Sequence, residues 1–165
     1  MNIVHLHLLL NHFPLIGAII SALLLAVALL RRSSELAKIS LAFLALIGGM
    51  AVVVFLTGEP AEEALEKLPG FSERLVDLHE DAALVATVVT GTIGALALGA
   101  MILYRRRAVP RWVTTLVLVC AVGASAMMGY TAYLGGQIRH TELRASAASL
   151  GDGGTAAPRV EHDEH

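Results

Sequence analysis

Four apolar runs, at residues 13–30, 36–56, 82–104 and 112–134, constrain this chain more than any other feature. Each is close to the ~20 residues that a helix needs to cross about 30 Å of hydrocarbon, at roughly 1.5 Å per residue. A barrel strand would need roughly half as many and would alternate apolar with polar positions. The runs therefore predict helices. Composition agrees, because charged residues make up only 16% of the 165-residue chain, against about a quarter in soluble domains. The mean hydropathy is +0.69. Short connections favour antiparallel neighbours, so the expected fold is all-α: a four-helix transmembrane bundle, up-down-up-down, over residues 1–144.

Charge sets the expected orientation. Arg31, Arg32 and Lys38 flank the first connection, and Arg105, Arg106, Arg107 and Arg111 flank the third. Between the second and third runs, the hairpin at residues 58–78 and its flank carry Glu59, Glu62, Glu63, Glu66, Glu73, Asp77, Glu80 and Asp81 against Lys67 and Arg74. Lys and Arg near span ends stay in the cytoplasm, which puts both termini and the acidic hairpin outside. Trp112 and Tyr104 then fall at the cytoplasmic aromatic belt, with Tyr130 and Tyr133 at the outer one. The first run lacks a basic leader, and its basic pair lies at the wrong end for a cleavable signal peptide. The lone Cys120 offers neither a disulfide framework nor a Cys-based metal site.

Local signals refine the spans. A helix beginning near Ile3 meets Pro14 about three turns in, which frees a carbonyl near Leu10 and predicts a kink. A short helix is expected at 61–68, ended by Pro69-Gly70, with Ser72 as N-cap of a long helix to Tyr104. Gly135-Gly136 predicts a helix stop or kink, and residues 145–165 read as a disordered tail. Gly48, Gly49, Gly91, Gly94, Gly99, Gly123, Ser125 and Gly129 are expected mainly at close helix contacts, with room for a flat cofactor as the alternative.

All seven histidines (His5, His7, His12, His79, His140, His162 and His165) fall on the outer side of this arrangement. An ionisable side chain at membrane depth is a functional candidate, and imidazole is the commonest metal ligand. Counted from the cytoplasmic arginines at helical rise, His12 lies about 28 Å up, His5 and His7 about 39 and 36 Å, His79 about 39 Å and His140 about 44 Å. All except His12 thus approach one layer, and His12 lies about two turns deeper. On a wheel of about 100° per residue His5 and His12 share a face, while His7 points about 140° from His12.

Haem iron takes two axial ligands, and bundles build such sites from side chains on facing helices. Zinc or copper takes the same ligands, though a closed zinc site is compact and often uses Cys. Met127 and Met128 add soft donors near the outer end of the fourth run. Plainer readings stand beside these. His12 could bond the carbonyl freed by Pro14, His5 and His7 could be interfacial polar groups, and His140 beside Arg139 could be solvated. Glu80 and Asp81 suit a helix N-terminus. Arg139 could instead pair with a haem propionate. No nucleophile–base pair, phosphate loop or open catalytic metal motif is visible. The chain is therefore not expected to be an enzyme on its own, and no nucleic-acid partner is expected.

Four landmarks in order carry a resemblance: His7-x-x-x-x-His12-Phe13-Pro14, Thr57-Gly58, His79-Glu80, and Leu134-Gly135-Gly136 with Arg139-His140. They resemble a family of small bacterial four-helix membrane proteins, known as a domain of unknown function, whose members look like b-type cytochromes. The resemblance covers roughly residues 4–143. It implies a protein of the bacterial inner membrane with periplasmic termini and one or two haem b groups, with His7, His12, His79 and His140 at the matching positions. Leu8 follows His7 where the family often has Pro, which leaves His5 and His7 unranked. A single haem would most simply use His12 and His79 on diagonal helices, whereas depth pairs His79 with His5 or His7. A second haem would take His7 and His140.

The expected role is electron transfer with membrane quinol or a periplasmic redox protein, alone or as a subunit of a respiratory-type complex. Bis-His coordination fills both axial positions and so favours electron transfer over oxygen chemistry. Two rivals remain. One is a divalent-metal (zinc or copper) binding or transport protein, although transporters carry polar groups and broken helices near the midplane and these spans hold only Thr, Ser and Gly there. The other is a cofactor-free structural subunit of a membrane complex.

Overall fold

In lipid every backbone N–H and C=O must be satisfied within its own segment, which leaves apolar runs of this length no alternative but the helix. The computed structural model describes residues 3–65 and 72–139, with side chains for 5–63 and 72–138. Among them lie six helical segments and no strand: α1 (Ile3–Leu10), α2 (His12–Arg31), α3 (Ser34–Phe55), α4 (Gly58–Leu65), α5 (Glu73–Leu103) and α6 (Arg111–Arg139). Four stretches are long and apolar enough to cross a membrane: His5–Arg31, Ser34–Glu63, Glu73–Leu103 and Arg111–Ile138. The expected four-helix, all-α architecture is the observed one. The expected tail, His140, His162 and His165 lie outside the described residues.

The first span begins at Ile3 and is interrupted for one residue at Asn11, three positions ahead of Pro14. Proline has no N–H to return to the carbonyl four residues back. The interruption is slight: Asn11 keeps helical angles (φ −63°, ψ −22°) and its N–H reaches the His7 carbonyl at 2.9 Å. At the other end of α2, Arg32 takes the left-handed conformation (φ 53°) where glycine is usual. The Ser33 N–H reaches back to the Ala28 carbonyl at 2.9 Å and the Arg32 N–H to the Leu29 carbonyl at 3.3 Å. These two bonds satisfy carbonyls that the helix end would otherwise strand. The Ser33 hydroxyl then caps α3 by accepting from Leu36 N–H at 3.2 Å. Ser34 Oγ accepts from Val109 N–H at 2.9 Å and so ties the α2–α3 connection to the α5–α6 connection.

Around the bundle, α2 packs against α3 and α6, and α5 packs against the same two, so α2 and α5 face each other diagonally. Helices in lipid gain nothing from hiding large apolar side chains from one another; close backbone approach is what holds them. Small residues line much of the interior, beside the fully buried Leu25, Leu41 and Leu44. Ala18, Ala22, Ala37, Ala51, Ala86, Ala97, Ala121 and Ala124 are buried, while Leu46, Leu96, Val119 and Val122 face outward. Buried hydroxyls mostly bond their own helix one turn back, as Ser21 does to the Gly17 carbonyl (2.7 Å) and Ser40 to the Leu36 carbonyl (2.7 Å).

The tightest contact is the α3–α5 crossing. A Cβ on Gly48 would lie 2.9 Å from the Gly94 Cα, and one on Gly94 the same distance from the Gly48 Cα. The packing expectation therefore holds for this pair, and Gly91 lies beside it. It fails for Gly49, Gly99, Gly123 and Gly129, whose missing side chains would meet nothing within 4 Å; these glycines lie away from every helix contact among the described residues.

Three local expectations are corrected. The short helix after the second span starts at Gly58 rather than 61. Ser72 is the N-cap of α5 in backbone (φ −131°, ψ 98°), but its side chain makes no capping bond. The fourth span neither stops nor breaks at Gly135-Gly136 and runs on to Arg139. What those glycines accommodate emerges at the site.

Candidate functional site

The inward seam of the first span follows the seven-residue step His7, Pro14, Ser21, Ala28, of which the last three are buried. An α-helix drifts only about 20° per seven residues, so His7 shares that seam. His79 holds the corresponding place on α5, seven and fourteen residues before the buried Ala86 and Ile93. Both imidazoles are partly buried, and they are close enough for a charge on His79 to act on His7.

Each ring is held by one nitrogen. His7 Nδ1 lies 2.9 Å from Thr57 Oγ1, and that hydroxyl donates its only hydrogen to the Val54 carbonyl at 2.6 Å. Thr57 is therefore the acceptor, and His7 carries its proton on Nδ1. His79 Nδ1 lies 3.0 Å from the Thr131 carbonyl, which can only accept. The same tautomer follows, and in both rings Nε2 keeps its lone pair. A ligating histidine characteristically donates its other N–H to a carbonyl or similar acceptor in just this way, which fixes its orientation and raises its basicity.

One glycine makes space for a ring. A Cβ at position 135 would lie 3.1 Å from His79 Cε1 and 3.4 Å from Nδ1, whereas one at position 58 would meet His7 Cε1 at 3.8 Å, an ordinary contact. Gly135 is thus a seat for the His79 imidazole, which explains a glycine inside an uninterrupted helix. One turn from His7 on the same seam, Asn11 Oδ1 is buried without a hydrogen-bond partner. An orphan acceptor of this kind is costly and rare.

The other candidates are placed differently. His12 is exposed, and its Nδ1 donates to the Leu8 carbonyl at 3.1 Å rather than to the Leu10 carbonyl that Pro14 frees. His5 is also exposed. His12 thus lies on the exposed face of its span, whereas His7 and His79 are partly buried. His140 and the Arg139 side chain lie outside the described residues. Met128 is buried against Ala51 and Ala86, with Met127 beside it, and serves as packing there. Glu80 and Asp81 are exposed, as groups matched to a helix N-terminus would be.

Among the described residues no group of three or more His, Cys, Asp or Glu converges to hold a metal ion. A zinc site asks for three or four such ligands; haem iron asks the protein for two. Two imidazoles engaged through Nδ1, with Nε2 unpartnered among the described residues, match in number the two axial ligands of a haem. Two surface recesses, an apolar groove between α2 and α6 around Ala22, Ala26 and Ser125 and an acidic one around Glu59, Glu63 and Glu80, touch neither histidine.

No family model, no curated protein and no solved structure matches this chain. The site must speak through its own residues. Of the residues beside the two imidazoles, Thr57 bonds His7 and Gly135 receives His79, while the Thr131 carbonyl bonds His79.

Proposed function

We propose that this protein is a membrane-bound b-type cytochrome whose His7 and His79 are the axial ligands of a haem at the outer end of the bundle. The observation that carries the reading is the shared tautomer: two inward imidazoles on diagonally opposed spans, each with Nδ1–H bonded and Nε2 free. Haem supplies one-electron chemistry when bound. The chain's own part is to keep both imidazoles neutral and oriented. Antiparallel spans with both termini outside follow from short connections and from the exposed Arg31, Arg32, Arg105, Arg106 and Arg107 at one end. That orientation sets the site at the periplasmic face of a bacterial inner membrane, within reach of quinol or a periplasmic redox protein.

Absorption spectra of the protein purified in detergent, oxidised and then reduced with dithionite, test this directly, with metal analysis of the same sample. Reducible b-type bands with iron are expected. Colourless protein, or zinc or copper without haem, would refute the reading.

A further inference from the structure

The two imidazoles are oriented by unlike means. His79 donates to a backbone carbonyl, an acceptor that no side-chain substitution at position 131 removes; the Thr131 hydroxyl is itself engaged with the Met127 carbonyl at 3.1 Å. His7 instead bonds a side chain, Thr57, in the turn between α3 and α4, with the Val54 carbonyl also beside the ring. That hydroxyl could in principle donate to the ring or accept from it, and the two choices place the histidine proton on different nitrogens. The 2.6 Å bond from Thr57 Oγ1 to the Val54 carbonyl removes the choice.

We propose that Thr57 is a positioning residue: its hydroxyl, held at the Val54 carbonyl, fixes the His7 proton on Nδ1 and leaves Nε2 as the atom offered to haem iron. The tautomer stands on the hydrogen bonds alone, while its consequence for iron rests on the cytochrome reading. With Thr57 replaced by valine, the ring loses the hydroxyl acceptor at nearly constant shape, and the Val54 carbonyl is freed from it. Both tautomers then become accessible, and the remaining Nδ1–H is a weaker donor of electron density to a metal. With serine the hydroxyl, and therefore the relay to Val54, is retained.

The test has two readouts on the full-length protein in detergent. Histidine ¹⁵N chemical shifts are recorded on the haem-free chain, for wild type, Thr57→Val, Thr57→Ser and Thr131→Val. Wild type is expected to carry the proton on Nδ1 at both His7 and His79. Thr57→Val should give a tautomer mixture at His7 alone, Thr57→Ser should restore the wild-type pattern, and Thr131→Val should leave His79 unchanged. On pigmented protein, Thr57→Val should weaken haem retention by about 10- to 100-fold, the usual effect of losing a ligand's outer hydrogen bond, and raise the midpoint potential. Thr57→Ser should do neither. An Nε2–H tautomer at His7 in wild type, or no change at His7 in Thr57→Val, overturns the proposal. If Thr57→Val does not fold, the wild-type and serine measurements still decide. If every preparation lacks pigment, the cytochrome reading fails by itself and the shifts alone decide the role of Thr57.

Discussion

Glycine does opposite work in two regions of this bundle. At the α3–α5 crossing, Gly48 and Gly94 remove side chains so that two backbones can touch, and nothing else enters. At the histidine end, Gly135 removes a side chain so that the His79 imidazole can come in. The first region is closed by contact between helices, while the second is kept open for groups that have chemistry. A glycine in an apolar helix is therefore not evidence of packing or of a cofactor until its neighbour is known.

Substitutions sharpen that contrast. Gly48→Leu should have the largest effect, destabilising the fold by about 3 kcal/mol, because overpacking against backbone cannot be relieved by a side-chain rotation; unfolding in detergent by SDS or urea measures it. Thr90→Val acts in the same crossing with the opposite sign. The Thr90 hydroxyl is fully buried without a partner, so its removal at constant shape should raise stability by about 1 kcal/mol in the same assay. Gly135→Ala should cost less than about 1 kcal/mol, since alanine returns helix propensity. It should nonetheless displace the His79 ring, visible as a shifted haem spectrum and faster haem loss. Gly123→Ala, with open space around it, should change stability by under about 0.5 kcal/mol and leave the spectrum alone. If Gly135→Ala behaved like Gly123→Ala, the distinction between seat and surface would be lost.

Much of this was legible in the sequence. Span lengths and the Ser72 boundary follow from hydropathy and local chemistry. The choice among histidines was harder, because depth alone ranks His5, His7 and His79 together. The signal that separates them is residue size on the two faces of the first span. His7 continues into Pro14, Ser21 and Ala28, and His12 into the exposed Ile19, which with the inside-small rule of membrane helices places His7 within and His12 without. Pro14 obscured this by suggesting a kink large enough to reset the register, whereas Asn11 stays helical and the seam runs through. The Thr57 contact was not readable at all. It joins residues 50 positions apart, and only the packing of α1 on α4 brings them together.

The placement of His7 and His79 as a facing pair is the claim on which the function depends. Reduced-minus-oxidised spectra of purified His7→Ala, His79→Ala and His12→Ala, normalised to protein and compared with wild type, test it most directly. The two inward variants should each lose the b-type bands, while His12→Ala keeps them. Bands that survive in His7→Ala and vanish in His12→Ala would contradict the account.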